Sequence, residues 1–208
     1  MIFEGTNANE HNPLTDKERE MLISSIEEQM KHMMVTLNID IRDDPNSKDT
    51  PHRFAKMLIN ETMAGRYGPA PVITTFPNSK EYDQTIMSGP IRIESMCSHH
   101  WQPFIGEAYI AYIPDETVIG LSKLSRIAIF YAKRPQIQEE LTQQIANHIE
   151  EVLGSSYGVA VMIRSQHQCM TCRGVHDINA KMTTSALRGA FKDDPATRAE
   201  FYEMVNND

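Results

Sequence analysis

Two short segments hold the metal-ligand chemistry of this chain: Cys97-Ser98-His99-His100 and His167-Gln168-Cys169-Met170-Thr171-Cys172. All three cysteines among the 208 residues fall in these segments, each close to histidine. Thiolate and imidazole are the donors that a borderline-soft ion such as zinc prefers. The pattern points to one metal site assembled from two distant stretches of chain. A catalytic zinc keeps three protein ligands and an open position for water, and Cys97, His100 and Cys169 supply such a set. His99 and His167 then remain as proton carriers, because imidazole titrates where proton transfer to a reacting group requires it. The alternative is a closed structural site in which Cys172, of the Cys169-x-x-Cys172 pair, is the fourth ligand. Cys172 can equally be a small apolar residue. A base deaminase would need His-x-Glu and a proline before its cysteine pair; the chain has His99-His100-Trp101 and Gln168 there.

A second chemistry concerns anions. Ser122-Lys123-Leu124-Ser125-Arg126 sets two cations on one face of a helix's first turn, where they oppose the dipole at a cost of up to about 1 kcal/mol each. A phosphate held there by amides and side chains would reverse that cost. Arg173 directly precedes Gly174, where backbone can approach a ligand, and Arg53 and Lys56 share a face of an earlier helix. Each alone is an ordinary surface charge. Beside a metal site, in a chain of net charge −8, they point to a polyphosphate substrate. Glu139 and Glu140 open a helix where negative charge suits the dipole. A functional glutamate there would turn inward and accept hydrogen bonds from a ring N–H and an exocyclic amine.

The elements that must position these residues are legible in hydrophobic period and punctuation. Residues 1–13 are polar and expected to be loose. Thr15 and Glu18 form a capping box, followed by Leu22, Ile26, Met30, Met33 and Leu37 at helical spacing, with the methionine stripe read as packing. A second helix is expected with Thr50 as cap and Pro51 at its first position, ending near Gly65. Residues 66–90, rich in proline, read as a surface connection. From 91 the period becomes two, giving strands over 91–97 and 105–113. Helices follow from Ser122 to about Lys133 and from 137 to Gly154, then strands over 159–163 and around 175–187, with Cys169 at a strand end. Asp194-Pro195 opens a last helix. The expected fold is α+β in the order β-β-α-α-β-β, with a helical region over 1–65 and a catalytic domain over 66–208.

The acidic balance argues against a general nucleic-acid or membrane-surface binder, and no apolar run reaches the length of a membrane span. The first residues lack the basic start and apolar centre of a secretory signal. Three cysteines gathered beside histidines fit a reducing, cytoplasmic setting.

Taken together, these residues resemble the GTP cyclohydrolase I family. The resemblance rests on Asp49-Thr-Pro-His-Arg53 with Lys56, Ser95-Met-Cys-Ser-His-His100, Ile119-Gly-Leu-Ser-Lys-Leu-Ser-Arg126, Arg134-Pro-Gln-Ile-Gln-Glu139, Leu141-Thr-Gln-Gln-Ile145, His167-Gln-Cys169, Arg173-Gly174 and Thr183-Thr-Ser185. They occur in the family's order over roughly residues 45–205. The resemblance implies the tunnelling fold, a homodecamer with sites between subunits, and conversion of GTP and water to formate and 7,8-dihydroneopterin triphosphate. By position it implies zinc on Cys97, His100 and Cys169, whose hydroxide attacks C8 of guanine. His167 would protonate the ring nitrogen, His99 would assist proton transfer, and Glu139 would anchor the guanine edge. Lys56, Lys123, Arg126 and Arg173 would hold the triphosphate, with Ser122 near the ribose during the later rearrangement. Ser98 stands where many members carry glutamate, and Cys172 where a non-cysteine is expected. The cysteine-nucleophile nitrile reductase of the same superfamily fits the paired histidines poorly.

Overall fold

In the computed structural model, which describes residues 5–207, the chain divides into two units, 1–69 and 70–208. In the first, Thr15 and Glu18 close the capping box: Glu18 N donates to Thr15 Oγ1 at 3.3 Å and Thr15 N to Glu18 Oε2 at 2.9 Å. Helix α1 then runs Asp16–Thr36. Met34 is buried on it, whereas Met33 and Leu37 are 48% and 63% exposed, so the expected stripe does not stay in the core to its end. Helix α2, Thr50–Met57, has Asp49 rather than Thr50 at its N-cap. A π-helical turn, Leu58–Thr62, and α3, Ala64–Tyr67, prolong it. The segment expected to be loose is tied down where it is described. The buried Arg66 guanidinium donates to the carbonyls of Asn7, Ala8 and Glu10 and to Thr6 Oγ1, exchanging water for fixed acceptors; residues 1–4 lie outside the described residues.

The second unit is built on a five-stranded sheet ordered β5-β2-β3-β6-β7. Its strands are β2 Ile86–Cys97, β3 Pro103–Pro114, β5 Pro135–Gln136, β6 Ser156–His167 and β7 Met182–Gly189. The four long strands pair antiparallel; β5 runs parallel to the end of β2. A separate two-stranded pairing joins β1 Thr75–Pro77 to β4 Thr117–Ile119. Strand β2 begins at Ile86 rather than 91, because the Gly89-Pro90 interruption of the alternating pattern is absorbed as a register shift between Ser88 and Ile91.

Helices α4, Leu121–Ala132, and α5, Gln138–Leu153, cover one sheet face. Alternation sends Ile91, Ile93, Phe104, Ala108, Ile110, Val159, Val161 and Ile163 toward them, with Leu124, Ile127, Leu141, Ile145 and Ile149 opposite. Tyr109, Ala111, Ile113, Ala160 and Met162 face the other way, against Phe191 of the short α7, Ala190–Asp193, and Phe201 and Val205 of α8, Pro195–Asn206. The architecture is α+β. Among the described residues no helix is long and apolar enough to cross a membrane.

Candidate metal centre and active site

The end of β2, the start of β3 and the end of β6 meet at one margin of the sheet. Cys97 closes β2, with its amide donating to Gln102 O at 2.9 Å, while Trp101 N returns to Cys97 O at 2.9 Å. The intervening turn requires a left-handed φ of 52° at Trp101, a conformation that side-chain-bearing residues adopt at a cost. This turn folds His100 back toward Cys97. Strand β5 fastens the same corner, since Ser98 N donates to Gln136 O at 3.1 Å.

Cys169 reaches the corner from β6, though not as a strand end. His167 ends the strand, and Gln168–Thr171 is a single helical turn, α6. One ligand atom each of Cys97, His100 and Cys169 lies within 4.8 Å of the others, with Cys97 buried, Cys169 half-buried and His100 exposed. Two sulfurs and one imidazole nitrogen so spaced form the donor set a zinc ion takes, and the graded burial leaves one side open. Burial first, and the neighbouring Cys97 thiol second, push the Cys169 thiol up. That is the electrostatic state of two crowded thiols that a cation would relieve. Cys172 does not join the group: its thiol donates to Gln168 Oε1 at 2.8 Å.

His167 sits beside this triad on the helix-bearing face, where strand parity places it with Ile163 and Ser165. Its ring stacks on Phe104 at 4.7 Å and 9° between planes, and its Nε2 meets Gln138 Oε1 at 2.9 Å. Burial holds the imidazole below the usual histidine range, with the nearby Glu139 acting against that shift. His99, exposed in the turn, packs edge-on against the His100 ring with centroids 6.4 Å apart. Glu139 is exposed in the first turn of α5 at the same margin. Arg173 is exposed just beyond α6, before Gly174 at φ +67°.

The other basic residues are carried by other elements. Gly120, not Ser122, precedes α4, so Ser122 and Lys123 occupy its first turn. They line a cavity of about 660 Å³ with Thr74, Phe76 and Ser88; Arg126 is exposed one turn on. Lys123 Nζ donates to Val72 O at 3.0 Å. Chain direction places these residues at the start of α4, whereas the metal corner lies past its end, where Ala132 leads into β5. Nine residues, or about 14 Å of helix, run from Lys123 to Ala132. In the first unit, Arg53 and Lys56 line a cavity with His52, Phe54 and Met57, and Arg53 pairs with Asp49 at 3.4 Å.

Reasoning from residue types overlooked Gln138, which is fully buried and holds His167. The available signal was a glutamine and a threonine, Gln138 and Thr142, at helical spacing in a stripe otherwise continued by Leu141, Ile145 and Ile149. It also overlooked Gly106, where a Cβ would lie 1.9 Å from Arg164 O and 2.7 Å from Ser165 Cβ. Only glycine lets β3 approach β6 there.

The profile of the GTP cyclohydrolase I family matches residues 26–206. GTP cyclohydrolase 1 of Aeromonas hydrophila is 45% identical over 85% of this chain and 80% of its own length. The enzymes of that name from Tolumonas auensis and Salmonella arizonae are 42% and 41% identical, over 92% and 94% of this chain and 87% of each relative. A solved structure of an archaeosine synthase in its apo form superposes with a TM-score of 0.41 at 18% identity, over 52% of this chain and 94% of that one.

Proposed function

The chain belongs to the GTP cyclohydrolase I family, and from that premise we propose that it converts GTP and water to formate and 7,8-dihydroneopterin triphosphate. The observation that carries the reading is the convergence of Cys97, His100 and Cys169 within 4.8 Å, with His167 alongside and Cys172 turned away. Cys97, His100 and Cys169 would hold a zinc ion, which would supply Lewis acidity and bring the pKa of water toward neutrality.

The chain's own groups do the rest. His167 delivers a proton to the guanine ring nitrogen as the imidazole portion opens, and His99 assists proton transfer from the exposed side of the turn. Glu139 accepts hydrogen bonds from the guanine edge, for which its acceptor-only carboxylate is suited. Lys56, Lys123, Arg126 and Arg173 hold the triphosphate through charge-assisted bonds, and Ser122 lies near the ribose during rearrangement and ring closure.

The distance along α4 supports a site shared between copies. The Ser122–Lys123 end of one protomer would serve the metal corner of another, in a homodecamer in which subunits join through the sheet. Open sheet edges favour such joining: among the described residues β7 pairs only with β6, and β5 covers only Met96 and Cys97 of β2. Three free thiols suit a cytoplasmic enzyme. In division of labour, residues 1–65 form a helical appendage and 66–208 the catalytic part. The test is to incubate the zinc-loaded protein with GTP and no redox cofactor, then oxidise. A fluorescent pterin and one formate per turnover are expected; a zinc-loaded, assembled protein that yields neither refutes the reading.

A further inference from the structure

We infer that Gln138 is a positioning residue that fixes His167 as its Nε2–H tautomer, so that Nδ1 is the only nitrogen through which this imidazole passes protons to a substrate. The inference deepens the proposed role of His167 and rests on it.

The orientation of the Gln138 amide follows from its other partners. Its nitrogen lies 3.0 Å from Ile163 O and 3.2 Å from Met182 O, two backbone carbonyls that can only accept. Reversing the amide would press its oxygen against both carbonyls in a buried setting. The third neighbour, Thr184 Oγ1 at 3.0 Å, completes the ordering. Thr142 Oγ1 donates to Gln138 O at 2.8 Å, which leaves the Thr184 hydroxyl to donate to Thr142 at 2.6 Å and to accept from Gln138. The two N–H protons are shared among three acceptors, none of which has a proton left to donate to Gln138. Gln138 Oε1 must therefore accept, and its two donors are the Ser165 hydroxyl and His167 Nε2.

A neutral imidazole carries one N–H, so the proton on Nε2 leaves the lone pair on Nδ1. Phe104 holds the plane of the ring from one face, and Gln138 holds its rotation at the edge. With Nε2–H committed to Gln138, a proton that His167 delivers to the guanine ring nitrogen leaves from Nδ1. Gln138 touches no reacting atom; it selects which atom of His167 reacts.

Neutron diffraction from deuterated crystals of the full-length, zinc-loaded protein tests the assignment directly. A deuteron on His167 Nε2 and one on Ser165 Oγ, both aimed at Gln138 Oε1, are expected. A bare Nε2 facing Gln138 overturns the inference. Kinetics on matched variants gives a second readout. Gln138→Met, which keeps length but loses the acceptor, is expected to lower kcat on the order of a hundredfold with little change in KM for GTP. Ser165→Ala, which removes the other donor to Gln138 Oε1 and leaves the His167 bond in place, is expected to keep kcat within tenfold of wild type. Equal impairment of the two variants, or a change confined to KM, overturns it. Should the wild-type protein release no pterin, the proposed activity fails while the deuteron positions still decide the tautomer.

Discussion

At the scale of single residues, two of the three sulfurs, those of Cys97 and Cys169, face the candidate metal corner. Because Cys172 donates to Gln168, Cys172→Ala is expected to retain zinc and full activity, whereas Cys97→Ser or Cys169→Ser loses bound zinc, as metal analysis of the purified proteins would reveal. His167→Ala, which keeps the three ligands, is expected to retain zinc and lose activity by roughly a hundredfold to ten-thousandfold. Zinc content and pterin fluorescence measured on the same sample separate the two effects. The convergence of Cys97, His100 and Cys169 was legible in the sequence because cysteine and histidine have few roles that demand such clustering. Gln138 was not, because a glutamine acquires chemistry only through what it is buried against. That information resides in strand parity and helix phase, which bring Ser165, His167 and Thr184 to one amide.

At the scale of elements, α4 and α5 are joined by a half-buried bond between Tyr131 Oη and His148 Nδ1 at 2.9 Å. Burial holds the His148 imidazole below its usual range, with Glu151 opposing the shift. The folded pKa is thus lower than the unfolded one, and the unfolded chain binds more protons between the two values. The resulting stability is present above about pH 6.5 and is lost as pH falls below it toward the folded pKa. Melting temperatures taken from pH 7.5 down to 5.5 should therefore fall more steeply for the native chain than for His148→Gln; parallel curves would contradict this. Helix α8 depends on Asp194, which accepts from Thr197 N at 2.9 Å and Ala196 N at 3.3 Å. Asp194→Ala is expected to cost about 1 kcal/mol in urea unfolding, because α8 carries Phe201 and Val205 onto the sheet. The long helices and the antiparallel pairs were legible from their periods. Less so were the places where local chemistry yields to the sheet: the bulge at Gly89-Pro90, the helical turn that carries Cys169, and the start of α4, where Gly120 N is already engaged by Thr74 O at 3.1 Å.

At the scale of the whole molecule, most of α4 lies between Lys123 and the candidate metal corner, and a complete site is expected to need two copies. Cys97→Ser and Arg126→Ala should each be inactive alone. Co-expressed in equal amounts, they should regain about a quarter of wild-type activity, since half the corners and half the basic turns remain intact and combine at random. No recovery would place the whole site within one chain. The free margins of β2 and β7 carry a further consequence for handling this protein. A solitary copy would leave two rows of amides and carbonyls seeking mates, so weakening the contacts between copies should give precipitate and not a well-behaved small species. Purity by size would then report on catalytic competence, because in the proposed assembly a copy parted from its neighbours would lose its solubility with them.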